Sequence, residues 1–504
     1  MLFSLSASTH QLACKQKQNE RQALIDSLPC RKIQALSIPQ IVSQCDSGSL
    51  SPSTILSAYA KKSLRSHKAT NCLSDVMFAQ ALASSSVGGW GPGFDGSDAS
   101  STDTIRDRSL LGVPVSIKDT VNVVGHDTTI GYSSNVGKPA TTSASISAIV
   151  HAKTTVPIGL LSIETTSDVF GTTRNPHNLD FTPGGSSGGG AALPRFRRHD
   201  IGGSGVPGDS HHGGCATSMK GLEGIPIVSA PMASTLDDLS EFWKRVCVPL
   251  PWRSLNLQDE GRKLKWGIMW DDGSIPPTPA CRRALSTVAA ALRKQGHEVV
   301  DFHPPDVVAG LQTGYKLLLA DGGHQVASPL QSGESLVGPA VGLLALFNLP
   351  RIVKKAAGTM HPRTLLEDRE AIVERDEYRA RWHEKWISEG LDFVLTKATL
   401  MSVGYTFLFS LLDYTAGVFP VTKVDKDVDA LPADFESTAE FKSLNSVAKG
   451  AYSVYDAQKM HGLPLGVQIV GRRMEEEKVL EGMKVAVAAL NEHGLSPDIG
   501  VIDF

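Results

Sequence analysis

The chain has 504 residues, 41% hydrophobic and 20% charged, which is enough apolar material for a large core. Its 49 Lys and Arg nearly balance its 52 Asp and Glu, which argues against a nucleic-acid partner or an anionic membrane surface. No apolar run reaches the roughly 18 residues of a membrane span. The opening Met1-Leu2-Phe3-Ser4-Leu5-Ser6-Ala7 lacks a basic n-region, so the chain reads as cytoplasmic with no membrane span.

In chain order, residues 36–66 predict two helices. Ser51-Pro52 fits an N-cap followed by a first helical position, and Ile55, Ala58, Tyr59 and Leu64 form a rough helical stripe. Residues 84–105 are rich in Gly, Ser and Asp and predict a loop. Gly112-Val113-Pro114-Val115-Ser116-Ile117-Lys118-Asp119 predicts a short buried strand ending in charge, and residues 141–151 predict a helix. Residues 178–183 read as a turn.

A β-α-β pattern follows. Leu264 to Trp270 predicts a strand, Thr278-Pro279 opens a helix that Gly296 closes, and His297 to His303 predicts the next strand. Near the end, Leu465 to Gly471 predicts a buried strand. The helix after it buries Val479, Met483, Ala486, Val487 and Leu490 and stops at Gly494. Strands alternating with helices predict an α/β fold with much parallel sheet.

The seven cysteines, Cys14, Cys30, Cys45, Cys72, Cys215, Cys247 and Cys281, are scattered and include no C-x-x-C pair, which predicts free thiols in a reducing compartment. His211, His212 and Cys215 lie close together but lack paired metal-ligand spacing, so no metal is predicted there.

The chemistry is concentrated in two glycine-rich turns, Pro183-Gly184-Gly185-Ser186-Ser187-Gly188-Gly189-Gly190 and Asp200-Ile201-Gly202-Gly203-Ser204. Glycine permits unusual dihedrals and close approach. Serines in such turns offer hydroxyls beside backbone N–H groups, which acyl transfer needs as nucleophile and oxyanion donors. A serine needs a base, and Lys118 can be one if burial keeps it neutral. Taken singly, each feature reads more plainly. Lys118 is then a surface lysine or the ion-pair partner of Asp119, and each Gly-Ser run is a flexible turn. Gly184-Gly185-Ser186-Ser187-Gly188 also satisfies G-x-S-x-G, the nucleophile elbow of the α/β-hydrolases, which requires a strand before it and a helix after it.

Together, the segments 112–119, 183–189 and 200–204 resemble the three core motifs of the amidase signature family, nearest to its fungal acetamidase branch. Further stretches share the likeness: Lys153 to Pro157, Gly171 to Pro176, Asp321-Gly322, Gly404 to Lys423 and His461 to Arg473. The resemblance runs from about residue 36 to 493. It implies an N-terminal extension over 1–35 and one large α/β domain over 36–504, with a mixed central β-sheet flanked by helices.

The resemblance further implies an amidase acting on a small or medium carboxamide. Ser204 would be the nucleophile, Ser186 a bridge in a cis peptide, and Lys118 the neutral base. The backbone N–H groups of Ile201, Gly202, Gly203 and Ser204 would form the oxyanion hole, with Leu160 lining the acyl pocket. It implies no metal or cofactor and, by analogy, a homodimer.

The chain departs from the family pattern where Leu193 runs into Pro194-Arg195-Phe196-Arg197-Arg198-His199. This connection is shortened, basic and opened by proline, which makes a poor central strand. An Arg the family carries after the nucleophile is missing from Gly205-Val206-Pro207. The segments at 143–153 and 396–400 look clipped. These departures predict an alternative: a divergent or misassembled gene product, impaired or non-catalytic, that only binds a ligand or partner.

Overall fold

The computed structural model describes residues 36–86, 110–144, 149–158, 164–193, 199–202, 221–222, 224–225, 230–246, 252–258, 261–334, 336, 361–397 and 404–495. Local chemistry starts its helices. Ser37 opens Ile38–Asp46 with a capping box: its hydroxyl accepts from the Gln40 amide while the Gln40 side chain accepts from the Ser37 amide at 2.8 Å. Ser51 caps the helix Pro52–Thr70, where proline at the first position gives up no hydrogen bond. Asn71 ends that helix in the left-handed region, at φ 54°.

The strands are β1 (Leu73–Val76), β2 (Pro114–Lys118), β3 (Ile149–Thr154), β4 (Thr166–Ser167), β5 (Gly171–Thr172), β6 (His199–Gly202), β7 (Met232–Ala233), β8 (Lys265–Ile268), β9 (Glu298–Asp301), β10 (Phe393–Lys397), β11 (Ala416–Lys423) and β12 (Pro464–Val470). They form a three-stranded sheet in the order β1-β3-β2, a seven-stranded sheet in the order β7-β6-β11-β12-β10-β8-β9, and the pair β4-β5.

The large sheet is mixed, as the resemblance implies, and holds less parallel pairing than the alternation of strands and helices predicts. Only β10-β8 and β8-β9 run parallel among its described pairs, while β10-β12, β12-β11, β11-β6 and β6-β7 are antiparallel. The β-α-β unit at 264–303 is real. The later strands are also separated by helices, Gly404–Leu412 between β10 and β11 and Ser446–Ser453 between β11 and β12, yet β12 pairs antiparallel with both of its neighbours.

Side-chain alternation builds a core on both faces of this sheet. Phe393 and Leu395 pack with Trp266, Ile268 and Ile469 against the helices Pro279–Lys294 and Glu476–Glu492. Val394 and Val470 face the other way, toward Trp382, Trp386, Tyr405 and Leu408 of the helices Leu365–Glu389 and Gly404–Leu412. Trp266 and Phe393 stack at 4.5 Å between ring centroids. Burying one such side chain fully contributes about 1.5–3 kcal/mol.

Two local expectations fail. Residues 141–144 have no helical structure and Ile149–Thr154 is a strand, so the helix expected over 141–151 does not form there. Its β-branched residues favour a pleated surface, and β3 is the central strand between β1 and β2, so pairing decides its conformation. The expected loop begins late, because the helix Phe78–Ser86 runs through residue 86. The rest of that loop, residues 87–105, lies outside the described residues, as does the 1–35 extension.

No helix among the described residues is long and apolar enough to cross a membrane. Cys45, Cys72 and Cys281 are buried and form no disulfide. His211, His212 and Cys215 lie outside the described residues.

Candidate active site

Lys118 is the last residue of β2, and the strand is only half-buried until Ile117, rather than buried throughout. Parallel pairing sets Ile117 beside Lys153 and Lys118 beside Thr154. Ser186 lies in the turn that leads into the short helix Gly188–Ala192. The Gly185–Ser186 peptide is cis, as the resemblance implies. Lys118 Nζ donates to Ser186 Oγ at 2.7 Å, and both residues are half-buried. A β-strand end and a glycine-rich turn, 68 residues apart in sequence, thus bring an amine against a hydroxyl.

Glycine makes this approach possible. Gly184 sits at φ +89°, in the region L side chains avoid, and its carbonyl accepts from Thr165 Oγ1 at 2.9 Å. Gly189 donates to the Thr155 carbonyl at 3.1 Å. A Cβ on Gly189 would come within 2.6 Å of the Cys72 carbonyl oxygen and would also strike the Thr155 amide. The turn therefore lies directly on the backbone that leaves β3. The glycines serve contact here, in place of the flexible turn that each run suggests by itself.

The nucleophile-elbow reading fails on its structural requirement. A helix does follow Ser186, but residues 175–181 fold back on themselves through Asn175 N to Phe181 O at 2.8 Å, and 182–184 carry no strand.

The second Gly-Ser motif starts in a different sheet. Ile201 and Gly202 belong to β6, where Gly202 pairs with Ala416 and Ile201 with Gly417 of β11. Pairing with β7 covers only His199 and Asp200, so Ile201 and Gly202 continue along β11 alone. Strand formation begins at His199, after the basic connection whose residues 194–198 lie outside the described residues. Leu160, Gly203 and Ser204 lie outside them too, so only Lys118, Ser186, Ile201 and Gly202 of the expected site are placed.

The sequence reading missed the partner of Asp119. Asp119 Oδ1 lies 3.4 Å from Lys153 Nζ, with side-chain exposures of 2% and 0% respectively. Lys153 Nζ also donates to the Asp127 carbonyl and, at 2.8 Å, to Thr128 Oγ1. Thr129 Oγ1 donates to Asp119 Oδ2 at 2.5 Å. Burial pushes the Asp119 carboxyl up to about 6, against the opposing pull of Lys153 and Thr129. The signal was a lysine set between Ala152 and Thr154 in a segment that resembles the family, a position where an unpaired charge is not tolerated.

Beyond this pair, Asn122, Thr128, Ile130, Tyr132, Lys138 and Pro329 help line an open cleft of about 680 Å³ with a mixed polar and apolar lining. No group of His, Cys, Asp and Glu suited to a metal ion occurs among the described residues.

The sequence matches the family described as Amidase over residues 54–194 and 210–480. It is 29% identical to an acetamidase of Aspergillus oryzae, across 89% of this chain and 88% of that protein. It is 30% identical to Amidase 1 of Gibberella moniliformis, across 89% of this chain and 92% of that one. Among solved structures, a fatty acid amide hydrolase superposes with a TM-score of 0.73 at 22% identity, covering 90% of this chain and 85% of its own, a likeness of fold. The family match lapses over 195–209, the stretch that holds the shortened connection and Ser204.

Proposed function

The chain belongs to the amidase family, and on that premise we propose that it hydrolyses a small or medium carboxamide through an acyl-enzyme, with Ser204 as nucleophile, Ser186 as proton bridge and Lys118 as base. The observation that carries this reading is the 2.7 Å contact between Lys118 Nζ and Ser186 Oγ. A neutral amine at that distance can accept the Ser186 proton as Ser186 takes the proton of Ser204.

Ser204 Oγ then bonds to the amide carbon. The oxyanion is met by the backbone N–H groups of Ile201, Gly202, Gly203 and Ser204, one such donor lowering the barrier by about 3 kcal/mol. Collapse breaks the C–N bond while the proton held on Lys118 returns through Ser186 to the leaving nitrogen. Water gives a proton to the same relay and attacks the acyl-Ser204 ester; as the ester C–O bond breaks, the relay returns that proton to Ser204 Oγ and the carboxylic acid is released. Leu160 lines the acyl pocket in this reading, and every step is balanced by side chains, backbone donors and water.

The test is labelling of the purified protein with a fluorophosphonate, with the adduct mapped by mass spectrometry. The expected adduct is on Ser204, and Lys118→Ala is expected to slow both labelling and amide turnover. An adduct confined to another serine overturns the assignment. An unchanged rate in Lys118→Ala removes the base. The relatives are named for amide hydrolysis; a chain that only binds would show no Ser204-dependent turnover across a panel of amides.

A further inference from the structure

We propose that the buried Asp119–Lys153 ion pair is a positioning pair for Lys118, holding the end of β2 so that the Lys118 amine stays against Ser186. The inference rests on Lys118 serving as the base, and it goes further by naming the residues that aim it.

Asp119 follows Lys118 directly, as the first residue of the turn after β2, and the two side chains have separate partners. Lys118 reaches Ser186. Asp119 is held by Lys153, which stands beside Ile117 in the register. The ladder continues past the strand, because the Asp119 amide donates to the Thr154 carbonyl at 3.1 Å. The residues on either side of Lys118 are therefore tied to β3, one by register and one by both backbone and charge.

The same pair gathers the next turn. Lys153 holds the Asp127 carbonyl and Thr128 Oγ1, and Asp119 accepts from Thr129 Oγ1, which in turn accepts from the Gly131 amide at 3.0 Å. Four consecutive hydrogen bonds and one ion pair thus converge on a point one residue from the proposed base. Nothing in the amide chemistry uses either charge. A hydrophobic pair of similar volume would be no less stable in many folds, so a buried ion pair argues more for a specified geometry than for added stability. The charged groups around Asp119 are Lys153, its chain neighbour Lys118, and at longer range Asp75, which is bonded to His126 at 2.7 Å.

The experiment compares Lys118→Ala with the charge-free double variant Asp119→Asn/Lys153→Gln in the full chain, with kcat and KM taken per folded molecule and the pH profile recorded. Expected for the double variant is a fall in kcat of about a hundredfold, the scale of an ångström of misplacement, with KM changed far less. The acid limb of the profile is expected to move to higher pH, because an amine released from Ser186 into water holds its proton more tightly.

Where the double variant does not fold, Thr129→Val gives the same readout: it removes the hydroxyl that donates to Asp119 and leaves both charges in place. Its expected loss is about tenfold in kcat. A folded double variant, or Thr129→Val, with parental kcat and an unshifted profile overturns the positioning role. Unchanged turnover in Lys118→Ala overturns the base itself, so the two failures are distinguishable.

Discussion

The two glycine-serine motifs are held by different means. The first, residues 183–190, lies on the backbone around Thr155 and Cys72 beside the small sheet, where Gly189 leaves no room for a methyl group. The second opens as β6 in the large sheet, with its register taken from β11. Lys118 and Ser186 therefore share one local frame, while Ser204 follows from another. The family match lapses from residue 195 to 209, between these two motifs. In such a site one contact depends on local glycine packing. The other motif takes its register from β11.

The largest expected effect tests the second frame. Ser204→Ala is expected to abolish fluorophosphonate labelling and to lower amide turnover by at least the 10²–10⁴-fold expected for Lys118→Ala. Steady-state kinetics on the two variants decide this, and a Ser204→Ala enzyme of parental rate would break the division of roles between the turns.

Next is the anchor of the first frame. Lys153→Met strands the Asp119 carboxylate and is expected to cost about 3–5 kcal/mol at neutral pH. A carboxyl raised by folding to about 6 favours the folded state in its protonated form. That contribution is full below about pH 4 and is lost as pH climbs through the folded value. Removing the cation pushes the carboxyl higher still, so the variant is expected to lose more stability at pH 8 than at pH 5. Thermal melts at the two pH values check this, and equal losses would separate Asp119 from the effect.

Gly189→Ala comes third, at about 1–3 kcal/mol for an overpacked contact, read by denaturant unfolding. Its Cβ meets backbone atoms that cannot swing aside. A neutral outcome would show that the first turn can shift to admit a methyl group. Thr165→Val is the smallest, at about 1 kcal/mol for the hydrogen bond to the Gly184 carbonyl. A drop in Tm without a change in kcat would show that the turn tolerates loosening at its first glycine.

Much of the fold was legible along the chain because it is written in local chemistry. Ser51-Pro52 starts a helix, Gly296 and Gly494 end helices at φ +86° and +66°, and Leu285, Val288, Leu292, Val479, Met483 and Ala486 keep a helical stripe for the core. The failures share one cause. Ile149–Thr154 became a strand, and the large sheet became mostly antiparallel, through pairing with segments far away in sequence, a preference that no window of the chain contains.

The site divides in the same way. Residue types made Lys118, Ser186 and Ser204 candidates, and the resemblance to the amidase signature family implied their roles as base, bridge and nucleophile. Tertiary structure alone decided that Asp119 pairs with Lys153, because the β2-β3 register sets Lys153 beside Ile117 and the Asp119 amide bonds to the Thr154 carbonyl just past the strand. It also decided that the glycines of the first motif serve close contact, because only the folded chain brings Gly189 onto the backbone of Thr155 and Cys72.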